Sequence, residues 1–177
     1  MKSRTPWLLP LAALLMSGCA STAADLPPIP TVASVDLPRF MGTWYPIANI
    51  APWPETNAYN SVEHYELDED GNIPTVFTYN NKALDGPKKT LKSKAFVEDR
   101  ATNATWGVRF IWPIKAEYLI AWLAPDYSQV IVARNKRDYV WYMARTTEVS
   151  EADYQAAVQR IADMGYDVSK VKKVPRN

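Results

Sequence analysis

The chain is poor in the residues that carry most protein chemistry. It holds one cysteine and one histidine among 177 residues. One cysteine forms no internal disulfide, and one cysteine with one histidine completes no Cys/His zinc site. A Ser-His-Asp or Cys-His catalytic set would have to use His64, so that whole class hangs on a single side chain. Glycine is scarce, at 6 residues, and neither a nucleotide-loop glycine pattern nor a repeat period is visible. An excess of charge of one sign is also lacking, since 20 Lys and Arg face 19 Asp and Glu. A nucleic-acid binder normally carries a basic excess or stripe, so this balance argues against that class. No apolar run reaches the ~20 residues of a membrane-spanning helix. Aromatic residues, by contrast, make up 12% of the chain, and tryptophan recurs through its body. The chain is long enough for one domain with a single core.

The N-terminus reads as an address. Lys2 and Arg4 precede the apolar run from Trp7 to Met16, the layout of a secretory signal. Met16-Ser17-Gly18-Cys19 then resembles a bacterial lipobox, with Met16 where leucine is usual. That resemblance implies that residues 1–18 are a signal peptide cut before Cys19, and that Cys19 is acylated. Two or more acyl chains anchor a protein stably, where one alone is marginal. Ala20, rather than Asp, after the cysteine implies outer-membrane sorting with the protein facing the periplasm. The alternative is an ordinary signal peptide cleaved near Ala20 or Ala24, with an incidental cysteine. Residues 19–35 are small and proline-rich, and read as a flexible linker that lifts a domain of residues 36–177 off the bilayer.

The body is patterned as strands. Eight short alternating runs lie between Thr43–Ile50 and Tyr139–Thr146. Turn signals such as Asp68 to Asn72, Asp85-Gly86-Pro87 and Pro125-Asp126 separate them. An all-β sandwich or up-and-down barrel follows. The period changes over Ser150–Met164. Ser150 can cap, Gly165 can terminate, and Tyr154, Ala157, Val158, Ile161 and Met164 form one apolar stripe. This predicts one helix packed on the outside of the strands. The tail, residues 166–174, fits a short edge strand.

Three motifs stand in a fixed order on this framework. Gly42-Thr43-Trp44-Tyr45 opens the first strand, Arg137-Asp138-Tyr139 precedes the last, and Arg145 closes it. Together with the late helix and the lipobox, they make the chain similar to the lipocalins. Within that family the chain is similar to the bacterial outer-membrane lipoprotein group, whose animal relatives include apolipoprotein D. The resemblance runs from Asp36 to Pro175. It implies an eight-stranded antiparallel up-and-down barrel with one C-terminal α-helix, and non-enzymatic binding of a small hydrophobic ligand. It also implies no cofactor or metal and a possible homodimer. Gly42, Trp44 and Arg145 are expected to seal one end of the barrel, the guanidinium stacking over the indole.

With its phase taken from the resemblance, strand alternation then gives the inward faces. Arg145 inward brings Met143 and Trp141 inward, and Trp44 inward brings Ala48 with it. Tyr118, Ile120 and Trp122 share a face, as do Trp106, Val108, Phe110 and Trp112. The expected ligand-binding set is Tyr65, Tyr79, Phe110, Trp112, Tyr118, Trp141 and Met143, joined by Glu63. An inward Glu63 needs a hydroxyl or cationic partner, or its pKa must rise. A slip of one residue would turn Val62 and His64 inward instead, and both phases stand at this point. In lipocalins the loop Ala51–Glu55 would overhang the open mouth, with Trp53 either a rigid exposed aromatic or packed within the loop. An aromatic lumen with hydroxyl and indole groups suits a fatty acid or lysophospholipid. The alternatives are a tetrapyrrole or other rigid chromophore, or a structural envelope lipoprotein whose barrel is filled.

Overall fold

A computed structural model describes residues 26–111 and 114–177. Residues 1–25, which include Cys19, and residues 112–113 lie outside the described part.

The alternating runs become strands because one face of each can be buried and the other wetted. They are β1 (Gly42–Ile50), β2 (Ala58–Tyr65), β3 (Ile73–Asn81), β4 (Lys88–Val97), β5 (Thr105–Ile111), β6 (Ile114–Leu123), β7 (Gln129–Ala133) and β8 (Val140–Ala144). Each pairs antiparallel with the next, and β1 pairs with both β2 and β8, so the sheet closes on itself. Closure removes the free edges that an open sheet would expose. A two-residue β9 (Lys172–Lys173) adds to β1 at Ala48 and Asn49, giving the tail the edge pairing its sequence fits.

The helix α2 (Glu151–Asp163) starts where its cap predicts. The Ser150 hydroxyl accepts a hydrogen bond from the Asp153 amide at 3.1 Å. Ala157 and Ile161 bury against Leu119, Ile131, Val140 and Tyr142 on the outer wall of the barrel.

Two β-bulges correct the expected phases. On β1 the register shifts between Pro46 and Ala48. Trp44 and Pro46 face the lumen, but Ala48 turns outward into the layer beneath α2. On β6 the shift falls between Ile120 and Trp122. Tyr118 and Ile120 stay inside, whereas Trp122 lies outside under the Arg160 guanidinium, 4.7 Å from its ring. A bulge inserts one unpaired residue, and everything beyond it changes face.

The chain also joins the barrel earlier than its composition implies. Residues 26–35, expected within the flexible linker, form a strap along the outer wall. The Ile29 amide donates to Asn135 Oδ1 at 2.7 Å, Val32 donates to the Ile120 carbonyl, and Val35 donates to the Thr102 carbonyl. Ile29 and Val35 are buried. Prolines made the segment look like a spacer, but proline suits an extended strap that pairs with loops rather than with a ladder.

A short helix α1 (Leu37–Phe40), capped by the Asp36 carboxylate, then crosses beneath one end of the barrel. Its Phe40 inserts against Trp44, Tyr65 and Trp106 at centroid distances of 5.0–5.7 Å. Arg145 locks this end. Its guanidinium sits 3.8 Å over the Trp44 ring and donates to the carbonyls of Arg39, Phe40, Met41 and Thr43. Gly42 turns between α1 and β1 at φ +94°, a conformation costly for any side chain, with Arg145 at its back. The opposite end is open, framed by the β1–β2, β3–β4 and β7–β8 loops.

Candidate functional site

The lumen above the aromatic floor is the candidate site. Trp106 and Tyr118 stack nearly parallel, 3° apart at 5.0 Å, and form part of that floor. The Tyr65 and Tyr118 hydroxyls share a 2.7 Å hydrogen bond. Burial pushes the pKa of both phenols well above the usual tyrosine value, so both are neutral.

The cavity over this pair is walled by Glu63, Thr75, Ser93, Val108, Trp141 and Met143, among others, and Glu55 hangs into it from the mouth. Its free space is about 460 Å³ counting the opening. The enclosed cavity is about 40 Å³, so the bore is narrow. Among the described residues, no cluster of three His, Cys, Asp or Glu side chains is placed to hold a metal.

Glu63, Tyr65, Tyr118, Trp141 and Met143 are thus brought together on one cavity. Of the two phases left open by the sequence, the one with Glu63 inside is found. Glu63 sits opposite Trp44 on β1 and Phe77 on β3, and its remaining surface opens to the cavity. His64 lies on the outer face, 3.0 Å from the Thr43 hydroxyl and 3.6 Å from Glu66. Tyr79 stands apart from the cavity. It is inside the barrel, but packs with Phe77 at 5.4 Å in a separate group with Ala58 and Leu91 nearer the mouth. Trp112 and the side chain of Phe110 lie outside the described part.

Sequence pattern missed Glu55. The β1–β2 loop folds into a single 3₁₀ turn, Trp53–Glu55, which swings the carboxylate inward and leaves Trp53 85% exposed. Glu55 is buried and accepts the Trp141 indole N–H at 2.9 Å. Desolvation raises its pKa to about 7, with the Trp141 hydrogen bond pulling back. Glu63 is pushed further, to about 8, by burial first and then by the Glu55 charge, against a hydrogen bond from Tyr65. Two acids sharing one low-dielectric space cannot both ionise cheaply, so at neutral pH the pair carries a proton. The only hint in the sequence was an acid ending a Pro-Trp-Pro loop, and loops carry no period from which to infer direction.

Comparison with known proteins agrees with this architecture. The family model described as a lipocalin-like domain matches residues 35–176. The outer membrane lipoprotein Blc of Escherichia coli K12 is 30% identical over 173 residues, covering 92% of this chain and 94% of the relative. Temperature-induced lipocalin-1 of Arabidopsis thaliana is 27% identical over 155 residues, 82% of each chain. Among solved structures, the cockroach allergen Per a 4 superposes with a TM-score of 0.61 at 19% identity, covering 85% of this chain and 94% of its own. Insecticyanin of the tobacco hornworm Manduca sexta gives 0.62 at 16% identity, covering 84% of each. With a closed barrel, a sealed floor under Arg145, a trailing helix and a family match across the whole domain, the chain belongs to the lipocalins.

Proposed function

We propose that this lipocalin binds and carries the alkyl chain of a fatty acid or lysophospholipid, without catalysis, at the outer membrane to which an acylated Cys19 holds it. The observation that carries the ligand reading is the narrow bore above the Tyr65–Tyr118 pair, whose surface is mostly apolar although Glu55, Glu63, Thr75 and Ser93 also line it. A flexible chain can thread such a bore. A rigid tetrapyrrole needs width as well as length, which weighs against the chromophore alternative. About eight to ten buried methylenes at ~0.8 kcal/mol each contribute ~6–8 kcal/mol, from which the cost of association is met. Catalysis finds little support, because His64 faces outward and, among the described residues, neither the Thr75 nor the Ser93 hydroxyl is hydrogen-bonded to a lumenal acid. The anchoring reading draws on the lipobox-like residues 16–19 and on relatives that carry the name outer membrane lipoprotein.

The test is displacement of a fluorescent fatty acid from the protein by unlabelled palmitate and by lysophosphatidylethanolamine. Competition in the micromolar range is expected. A probe that never enters, or that neither lipid displaces, removes the carrier reading. Mass spectrometry of protein taken from its own membrane tests the anchor, since acylation adds the mass of the acyl groups to the peptide beginning at Cys19.

A further inference from the structure

We propose that the open mouth of the barrel docks face-on against an anionic lipid surface, the same bilayer that holds the N-terminus. The tether side of this inference rests on the anchoring reading above; the docking face rests on its own observations.

The first is the path of the strap. The Pro27 carbonyl accepts from Arg137, and Ile29 pairs with Asn135, both in the β7–β8 loop at the mouth. Leu26 reaches Gly165 close by. From there the strap descends past Ile120 to Thr102 and Asp36 at the closed end. Leu26, the first described residue, therefore lies at the mouth rim. Six residues lie between Cys19 and Leu26, a reach of ~25 Å at full extension. The strap spends eleven residues, Leu26 to Asp36, covering the height of the barrel. A membrane that holds Cys19 is thus within easy reach of the mouth, and beyond that reach at the sealed end.

The second is charge. Lys82, Lys88, Lys89, Lys136 and Lys172 are exposed around the mouth. Of the acids at that end, Asp138 and Asp167 are paired, with Arg134 at 3.2 Å and Lys170 at 3.3 Å, while Asp85 and Asp163 are exposed and offset part of the lysine charge. The sealed end instead exposes Glu66, Glu69, Asp70 and Asp126, against Arg39 and Arg100. A chain near neutrality overall is polarised from end to end. Each lysine near an anionic bilayer contributes ~1 kcal/mol, and acids at the far end are best kept away from it.

The third is apolar exposure. Trp53 and Leu84, at 85% and 39% exposed, crown two mouth loops beside those lysines. An indole held out by flanking prolines matches the headgroup level, where tryptophan is preferred. Docked this way, the bore opens onto the acyl region and a chain enters without crossing water.

The experiment uses the full lipoprotein carrying a single added thiol for a nitroxide label, Leu84→Cys at the mouth or Glu69→Cys at the sealed end. Both sites are exposed, and unchanged melting temperatures confirm the fold. The protein is reconstituted into phosphatidylglycerol-containing vesicles. The collision rates of the label with oxygen and with a water-soluble nickel chelate are then compared. A severalfold rise in the oxygen-to-nickel ratio at position 84, with none at 69, is expected. Lys82→Glu with Lys88→Glu should cut that rise by half or more. Water-like ratios at both positions, or immersion of 69 instead of 84, overturn the docking. Mass spectrometry of the N-terminal peptide is read separately. An unmodified Cys19 with an immersed position 84 ends the anchor reading and leaves the docking standing. An acylated Cys19 with position 84 in water does the reverse.

Discussion

The indole of Trp141, on β8, donates to the carboxylate of Glu55, on the β1–β2 loop, across 2.9 Å. This one bond ties the wall of the lumen to the loop over its entrance. It also explains why a loop ending in Pro-Trp-Pro-Glu can hold its tryptophan out in water: the acid supplies the inward attachment. Trp141→Phe keeps the ring surface and removes the N–H. Stopped-flow mixing with a fluorescent fatty acid should then show association and dissociation both accelerated several-fold, with the equilibrium constant changed less than threefold. Trp141→Ala also removes wall surface, and should weaken binding by about tenfold. Equal kinetics in Trp141→Phe and the native protein would mean that the loop does not gate the bore.

Glu63 makes stability depend on pH in a definite direction. In the unfolded chain both lumenal acids ionise near 4.5, whereas in the fold Glu55 holds its proton to about 7 and Glu63 to about 8. Folded pKa values above the unfolded ones mean that the native state is at its full relative stability below pH ~4.5 and loses it as pH rises through 7–8. Glu63→Gln removes that loss. Its melting temperature should exceed that of the native protein by ~5 °C or more at pH 9 and match it at pH 5, as scanning calorimetry would register. A constant offset at both pH values would mean that the amide acts by packing and not by charge.

The same acids bear on the ligand. An anionic carboxylate entering the bore meets a neutral pair below pH 7 and a charged pair above pH 8. Palmitate affinity should therefore fall by about tenfold or more between pH 6 and pH 9, once its own ionisation is allowed for. An uncharged fatty alcohol should lose far less. The double variant Glu55→Gln, Glu63→Gln should flatten the palmitate profile. Parallel profiles for acid and alcohol in the native protein would show that the ligand headgroup stays clear of the pair.

Much of this was legible in the sequence, and the failures share a cause. Eight alternating runs, the Ser150 cap and the Trp44–Arg145 closure follow from periodicity and from matched motifs, both of which are properties of consecutive residues. Alternation, with its phase taken from the resemblance, also pointed Tyr65, Tyr118, Trp141 and Met143 inward, where the cavity has them. Ala48 and Trp122 came out on the wrong face because a bulge changes the count by one and leaves no mark in residue type. The strap over residues 26–35 is held by single hydrogen bonds to distant loops, at separations a local pattern cannot express. Glu55 is the functionally costly omission. It sits in a loop, and only tertiary contact with Trp141 decides which way it points.

The floor of the barrel should be the most expensive place to alter. Trp44 is fully buried, donates its indole N–H to the Phe40 carbonyl at 2.9 Å, and carries the Arg145 guanidinium on its face. Arg145 in turn satisfies carbonyls at the end of α1 and at Thr43 that would otherwise lose their partners on closure. Trp44→Ala leaves a cavity and frees both groups, at a cost of about 3–5 kcal/mol. Arg145→Lys keeps the charge but not the planar fork that reaches several carbonyls at once, and should cost about 1–3 kcal/mol. Urea denaturation measures both. The ordering matters more than the size: Trp44→Ala should exceed Arg145→Lys, and both should exceed Tyr79→Phe, which changes only one hydroxyl near the mouth. Should Arg145→Lys prove neutral, the guanidinium would be covering the floor without holding it, and α1 would have to close the barrel through Phe40 alone.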